Sequence, residues 1–188
     1  MIASKDRRFW IGASDTYYVM GNPKTKTWKE WYLEKLGLRT SEVSTKAMKV
    51  GNAYEHKIID AAAPRAEKDA QIIIEELGLR VNYDAIDRER IIEIKTYSSE
   101  EFKVSKRYKL QAQAEMFAAK RSGRIEKPEL YIVAYKVTEA EYLDYFRDID
   151  PARLSWHKVE WDEAFMQEYE ARLRYLHECI EKGVMPWV

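Results

Sequence analysis

The sequence predicts an α/β fold: one mixed β-sheet containing an antiparallel meander, flanked by helices. Two observations carry this expectation. Apolar residues recur at helical spacing in the N-terminal third, in 108–122 and in 162–182, whereas short β-branched runs occupy 70–77, 79–86, 91–96 and 130–137. The order is helices, three consecutive strands, a helix, further strands and a last helix, which suits a single sheet with helices packed on its faces. The 188 residues are enough for one domain with a full core, and the expected unit spans 1–188.

Each element has its own local cause. Gly12 or Ser14 stands near the cap of a short helix that begins at Ala13-Ser14-Asp15 and ends at Asn22-Pro23. A second helix over 28–36 closes at Gly37. Ser41 or Ser44 is positioned to cap a longer helix through Met48, Tyr54, Ile58 and Ile59, which Pro64 stops. Gly78 turns the chain into strand 79–86. The polar run Asp87-Arg88-Glu89-Arg90 then turns it into strand 91–96, whose dense apolar positions suggest a central place. Helix 108–122 presents Leu110, Ala114, Phe117 and Ala118 on one apolar face, with Gly123 beyond its end. Stretches 142–148 and 154–161 read as a strand pair joined near Asp150-Pro151. A terminal helix over 162–182 carries Phe165, Tyr169, Leu173 and Leu176.

Composition narrows the function. Charged residues make up 34% of the chain and no apolar run approaches transmembrane length. The N-terminus lacks the apolar stretch of a signal peptide, so a cytoplasmic setting is expected. The single cysteine, Cys179, excludes an intrachain disulfide framework and a cysteine-built metal site. Formal net charge is zero, but its distribution is uneven. Between Phe102 and Arg124, Lys103, Lys106, Arg107, Lys109, Lys120, Arg121 and Arg124 face one acid, Glu115. Such a segment suits a phosphate backbone, although two solvated faces of opposite sign would look the same.

The chemistry lies in the hairpin 82–96. Glu93 and Lys95 are two apart and share one strand face, while Ile92 and Ile94 share the other. Asp84 stands opposite them, with Asp87 competing for the same role from the turn. Charged groups gathered on a buried hairpin are costly to desolvate unless a cation sits between the carboxylates. Mg²⁺ takes oxygen ligands at about 2.0–2.1 Å and suits phosphodiester hydrolysis, and Mn²⁺ can stand in for it. Asp84 and Glu93 could supply ligands, the Ile94 carbonyl could add a third, and Lys95 would orient water or balance phosphate charge; an ion pair of Glu93 with Lys95 on an exposed face and a surface acid at Asp84 near the turn are the alternatives. In the preceding helix, Glu55 follows Gly51 by one turn and would be a third carboxylate for the metal or the attacking water; a solvated glutamate after a packed glycine is the alternative. A glycine inside a helix costs roughly 1 kcal/mol relative to alanine, which is tolerable where a backbone or a substrate must come close. In the following helix, Gln113 shares a face with Phe117, and a glutamine there could hold the lysine, a water or a phosphate.

Taken in order, Gly51 and Glu55, Asn82-Tyr83-Asp84-Ala85, Ile92-Glu93-Ile94-Lys95 and Gln111-Ala112-Gln113 resemble the PD-(D/E)XK nuclease superfamily. Within it they resemble the phage lambda exonuclease and YqaJ-like recombinase branch. Ile11-Gly12-Ala13-Ser14-Asp15 is similar to that branch's N-terminal signature. The resemblance implies a restriction-endonuclease-like core and a Mg²⁺-dependent DNA nuclease, a 5′→3′ double-strand exonuclease of phage or prophage recombination. Its rivals are a structure-specific or restriction-like endonuclease and a non-cutting DNA- or protein-binding module. By resemblance, Asp84, Glu93 and Ile94 hold the metal, Lys95 is the catalytic lysine, Glu55 completes the network and Gln113, ahead of Gln111, is the motif glutamine. Arg8 and Ser14 are the candidates for gripping the DNA 5′ phosphate, with Arg7 beside them. A single-strand annealing protein is the implied partner, and a trimeric ring the implied homo-oligomer. The proline usual before the first catalytic acid is replaced here by Tyr83.

Overall fold

In the computed structural model, which describes residues 8–40 and 45–186, a five-stranded sheet runs in the order β1-β2-β3-β4-β5. The strands are β1 (Glu67–Ile74), β2 (Leu79–Ile86), β3 (Arg90–Tyr97), β4 (Glu129–Lys136) and β5 (Leu154–Val159). The first three form the expected antiparallel meander. β3 and β4 then pair in parallel and β4 and β5 antiparallel, so the sheet is mixed. A parallel pair needs a crossover, and α4 (Lys106–Arg121) supplies it. β3 is central, as its apolar run requires.

The remaining helices are α1 (Thr16–Val19), entered through a 3₁₀ turn at Ala13–Asp15, α2 (Lys26–Lys35), α3 (Lys46–Ala62), α5 (Glu139–Leu143) and α6 (Glu163–Lys182). They divide between the two sheet faces because strand side chains alternate. Leu79, Val81, Tyr83, Ile91, Leu130 and Ile132 join the larger core with α1, α2, α4 and α6. Ala85, Ile92, Ile94, Val133 and Tyr135 join the smaller one, with Val50, Tyr54, Ile58 and Ile59 of α3. Trp28, Trp31 and Tyr32 belong to the first core, whereas Tyr17 is exposed. Cys179 is a buried free thiol in that core.

Several sequence expectations change. The cap of α3 is Thr45, whose hydroxyl accepts the Met48 N–H; Ser41 and Ser44 lie outside the described residues. β1 ends at Ile74, and Glu75–Leu77 forms a 3₁₀ turn into Gly78, which has φ 56°. Stretch 142–148 is not a strand. Thr138 and Glu141 form a capping box that starts α5, and β5 pairs with β4 instead. Glu141 is buried there, hydrogen-bonded by Tyr135 and paired with Arg153. Finally, α4 does not have one apolar face. It is buried on all sides from Ala112 to Ala119, the alanines letting it pass between sheet and helices, while Leu110 stays partly exposed.

Candidate active site

The hairpin β2–β3 opens where its acids lie. Its ladder pairs Ile86 with Ile91 and Ala85 with Ile92, and the register ends there. Beyond that point the Asp84 carboxylate accepts the Ile94 N–H at 2.7 Å, taking over the place of a ladder bond. A side chain thus closes what the backbones leave open, and Asp84 sits between the strands within reach of Glu93.

Glu93 and Lys95 project together from β3 toward α4, as the two-residue spacing requires. The Lys95 ammonium is paired with Glu93 and lies 5.2 Å from the Tyr108 ring centroid. Gln111 spends both amide hydrogens on acids, donating to Glu93 at 2.6 Å and to Glu115 at 2.8 Å. Glu115 is wholly buried, and its second carboxylate oxygen has no hydrogen-bond partner among the described residues. From the opposite side α3 brings Glu55, half-buried. Glu55 also neighbours His56 and Asp69, whose ligand atoms all lie within 4.8 Å of one another, with His56 Nε2 2.9 Å from Asp69.

The electrostatics follow from crowding. Burial raises the Asp84 carboxyl well above its usual range, and the charges of Glu93 and Glu55 add to this. Glu115 is likewise raised well above the usual range, by burial first and then by Glu93. Glu55 is raised by burial, then by Glu93 and Asp69. Burial opposes the charge on Lys95, but the carboxylates of Glu93 and Asp84 outweigh it and hold the ammonium more firmly protonated than a free lysine. Several carboxylates around one ammonium leave excess negative charge in a low-dielectric site. All the donors are oxygens, and one, on Glu115, is buried without a partner among the described residues. Such a set fits a hard divalent cation.

The structure therefore brings Glu55, Asp84, Glu93 and Lys95 together. Gln113 is elsewhere: its amide donates to the Glu160 carbonyl at 2.6 Å and accepts the Asp162 N–H at 3.1 Å, tying α4 to the β5–α6 connection. The reason is helical geometry. Gln111 and Glu115 are four apart and share the face over β3, whereas a residue two positions on from Gln111 is turned about 200° away. Gln111 is thus the glutamine at the acids, and the Gln111–Glu115 spacing is the signal that identifies it. Glu115 and Tyr108 are not among the residues expected at the site. Asp87 is confined to the turn, where it accepts the N–H groups of Glu89 and Arg90. Tyr83, in place of proline, is a core anchor whose hydroxyl donates to the Glu115 carbonyl at 2.9 Å. Ser14 is exposed on the turn before α1, and the Arg8 side chain lies against Gly37 after α2. No hydrogen bond among the described residues joins either to the acids. In the same signature Asp15 accepts the Gly12 N–H at 2.8 Å and the Trp31 indole at 2.9 Å, and pairs with Lys35, so it clamps α2 to the N-terminal segment.

A mixed sheet with two acids and a lysine on adjacent central strands, and a glutamate entering from the preceding helix, is the arrangement of the PD-(D/E)XK nucleases. Residues 4–132 match the model of the YqaJ-like viral recombinase domain, and the chain belongs to that family. Among solved structures it is similar to an alkaline exonuclease (LHK-Exo) from Laribacter hongkongensis, with TM-score 0.69 and 17% identity over 95% of this chain and 91% of that one. The same enzyme in complex with dAMP gives TM-score 0.68 at 18% identity, over the same shares of the two chains. A phage-related exonuclease from Haemophilus somnus 129PT gives 0.61 at 15% identity, over 96% of this chain and 98% of that one. These likenesses establish a nuclease fold. No curated protein sequence matches the chain significantly. No helix among the described residues is long and apolar enough to cross a membrane.

Proposed function

We propose that this protein is a Mg²⁺-dependent deoxyribonuclease that digests double-stranded DNA from its ends, 5′→3′, in phage recombination. The observation that carries the reading is the convergence of Asp84, Glu93, Lys95 and Glu55 where β2 and β3 part. Asp84 and Glu93, with the Ile94 carbonyl, would hold the cation. When bound, it would supply positive charge for the phosphate oxygens and acidify water. The chain's own groups do the rest. Lys95, paired with Glu93, stabilises charge on the phosphate or holds the attacking water. Glu55, with a raised proton affinity, is suited to orient that water and draw on its proton. Gln111 fixes the Glu93 carboxylate, so the pair with Lys95 keeps its geometry. The exonucleases of similar fold, one of them solved with a mononucleotide, support action at ends.

The test is incubation of linear duplex, nicked circle and closed circle with Mg²⁺ or Mn²⁺. Loss of linear DNA with survival of closed circles is expected. Cutting of closed circles would make it an endonuclease, and no cutting of any substrate would sink the reading. Lys95→Ala is expected to lower turnover about 10²–10³-fold while retaining DNA binding, measured by single-turnover kinetics and fluorescence anisotropy. The trimeric ring and the annealing partner belong to the same reading, and sedimentation of the purified protein tests the ring.

A further inference from the structure

Gly51 lies within α3, where glycine weakens a helix relative to alanine. Among the described residues nothing demands it. Its φ is not among the left-handed ones, and an added Cβ would meet only Thr96 Oγ1 among them, at 3.4 Å, an ordinary van der Waals contact. The need for a bare position therefore comes from outside the chain. Gly51 is four residues before Glu55, on the same helix face. Thr96 follows Lys95 on β3 and opens a cleft of about 610 Å³ that Tyr97, Phe102, Lys103 and Tyr108 also line. Aromatic rings run along it: Tyr97 and Phe102 have centroids 5.3 Å apart, and Phe102 and Tyr108 are stacked at 6.1 Å and 10°. Tyr108 in turn has its ring centroid 5.2 Å from the Lys95 ammonium, so the cleft adjoins the acidic centre. Glu100 and Glu101 on the outer wall would repel phosphates, which leaves that side to bases and the Gly51 side to the backbone.

Resting on the nuclease reading, we propose that the strand being cut runs from the acidic centre across Gly51 and Thr96 into this cleft. Its sugar–phosphate backbone lies directly on α3 at Gly51, and its bases meet the aromatic wall, where stacking is tolerant of sequence. A methyl group at position 51 would project about 1.5 Å into that path and lift the strand from the centre.

The experiment compares wild type, Gly51→Ala, Gly51→Gln and the control Ala61→Gly, an exposed position of the same helix. It reads melting temperature, affinity for a fluorescent end-labelled duplex in EDTA, and kcat/KM on linear duplex. Gly51→Ala is expected to melt at the wild-type temperature or about 2–4 °C higher, since helix propensity improves. Its kcat/KM is expected to fall at least tenfold, with a larger fall in Gly51→Gln and weaker DNA binding in both. Ala61→Gly should melt lower with unchanged kcat/KM. A stable Gly51→Ala with wild-type affinity and kinetics overturns the proposal, as does one that melts below wild type, because the fold itself would then require glycine. If wild type cuts nothing but both Gly51 variants bind DNA more weakly, the nuclease reading fails and the strand path stands. If wild type cuts nothing and the variants bind as it does, both fall.

Discussion

Asp84 shows how much one side chain decides. It replaces a ladder bond between β2 and β3 and is pressed toward protonation by burial and then by Glu93 and Glu55. A cation would relieve that pressure, so Mg²⁺ is expected to stabilise the folded protein by mass action, by about 2.7 kcal/mol at a hundredfold excess over its dissociation constant. Thermal unfolding with and without Mg²⁺ measures this, and Asp84→Asn should abolish most of the shift. Glu141 gives the opposite titration. Burial opposes its charge, but hydrogen bonds from Arg153, Tyr135 and Thr138 outweigh burial and bring its pKa down to about 2. A carboxylate whose folded pKa is depressed adds stability above its unfolded pKa, and loses it as pH falls through the folded one. Glu141→Gln should therefore cost about 3 kcal/mol at neutral pH, the lower end for a buried pair because Arg153 is partly exposed. Denaturant titrations of mutant and wild type should converge between pH 4.5 and about 2.

At the level of elements, α4 does two jobs on two faces. Gln111 and Glu115 face the acids of β3, while Gln113 holds the β5–α6 connection. Gln113→Ala is expected to cost about 1–3 kcal/mol of stability, because it leaves the Asp162 N–H without its acceptor, with specific activity of the folded protein unchanged. Gln111→Ala should do the reverse, lowering kcat with little change in melting. Parallel denaturation and kinetics of the two variants separate the roles. The start of α6 is legible to within a residue, since the helix expected over 162–182 begins after its cap Asp162. Stretch 142–148 misleads because Tyr142, Leu143, Tyr145 and Phe146 have strand propensity. The Thr138–Glu141 capping box wins locally, and the buried Glu141–Arg153 pair holds the result.

For the whole molecule, zero net charge conceals a basic stretch at the start of α4. Lys103, Lys106 and Lys109 are exposed and no acid stands in the first turn of that helix. Replacing all three with alanine should weaken duplex binding and reduce the slope of log affinity against log salt by about 0.9 for each phosphate no longer neutralised. Anisotropy titrations across a salt series read both effects. Neutralising exposed lysines should leave melting nearly unchanged.

The sequence by itself determined the three-strand meander, the strand after the crossover helix and the candidate set Glu55, Asp84, Glu93 and Lys95, but not the place of 142–148. Strand and helix periods place residues on faces, and charged residues at apolar-flanked strand positions are too costly to be incidental. Only the tertiary structure decided which glutamine serves the acids, and that Glu115 and Tyr108 join them. α4 is buried on every side, so no amphipathic pattern distinguishes its face over β3 from the one over the β5–α6 connection. That choice depends on how the crossover helix is rotated over the sheet, and the rotation is set by packing among segments distant in the chain.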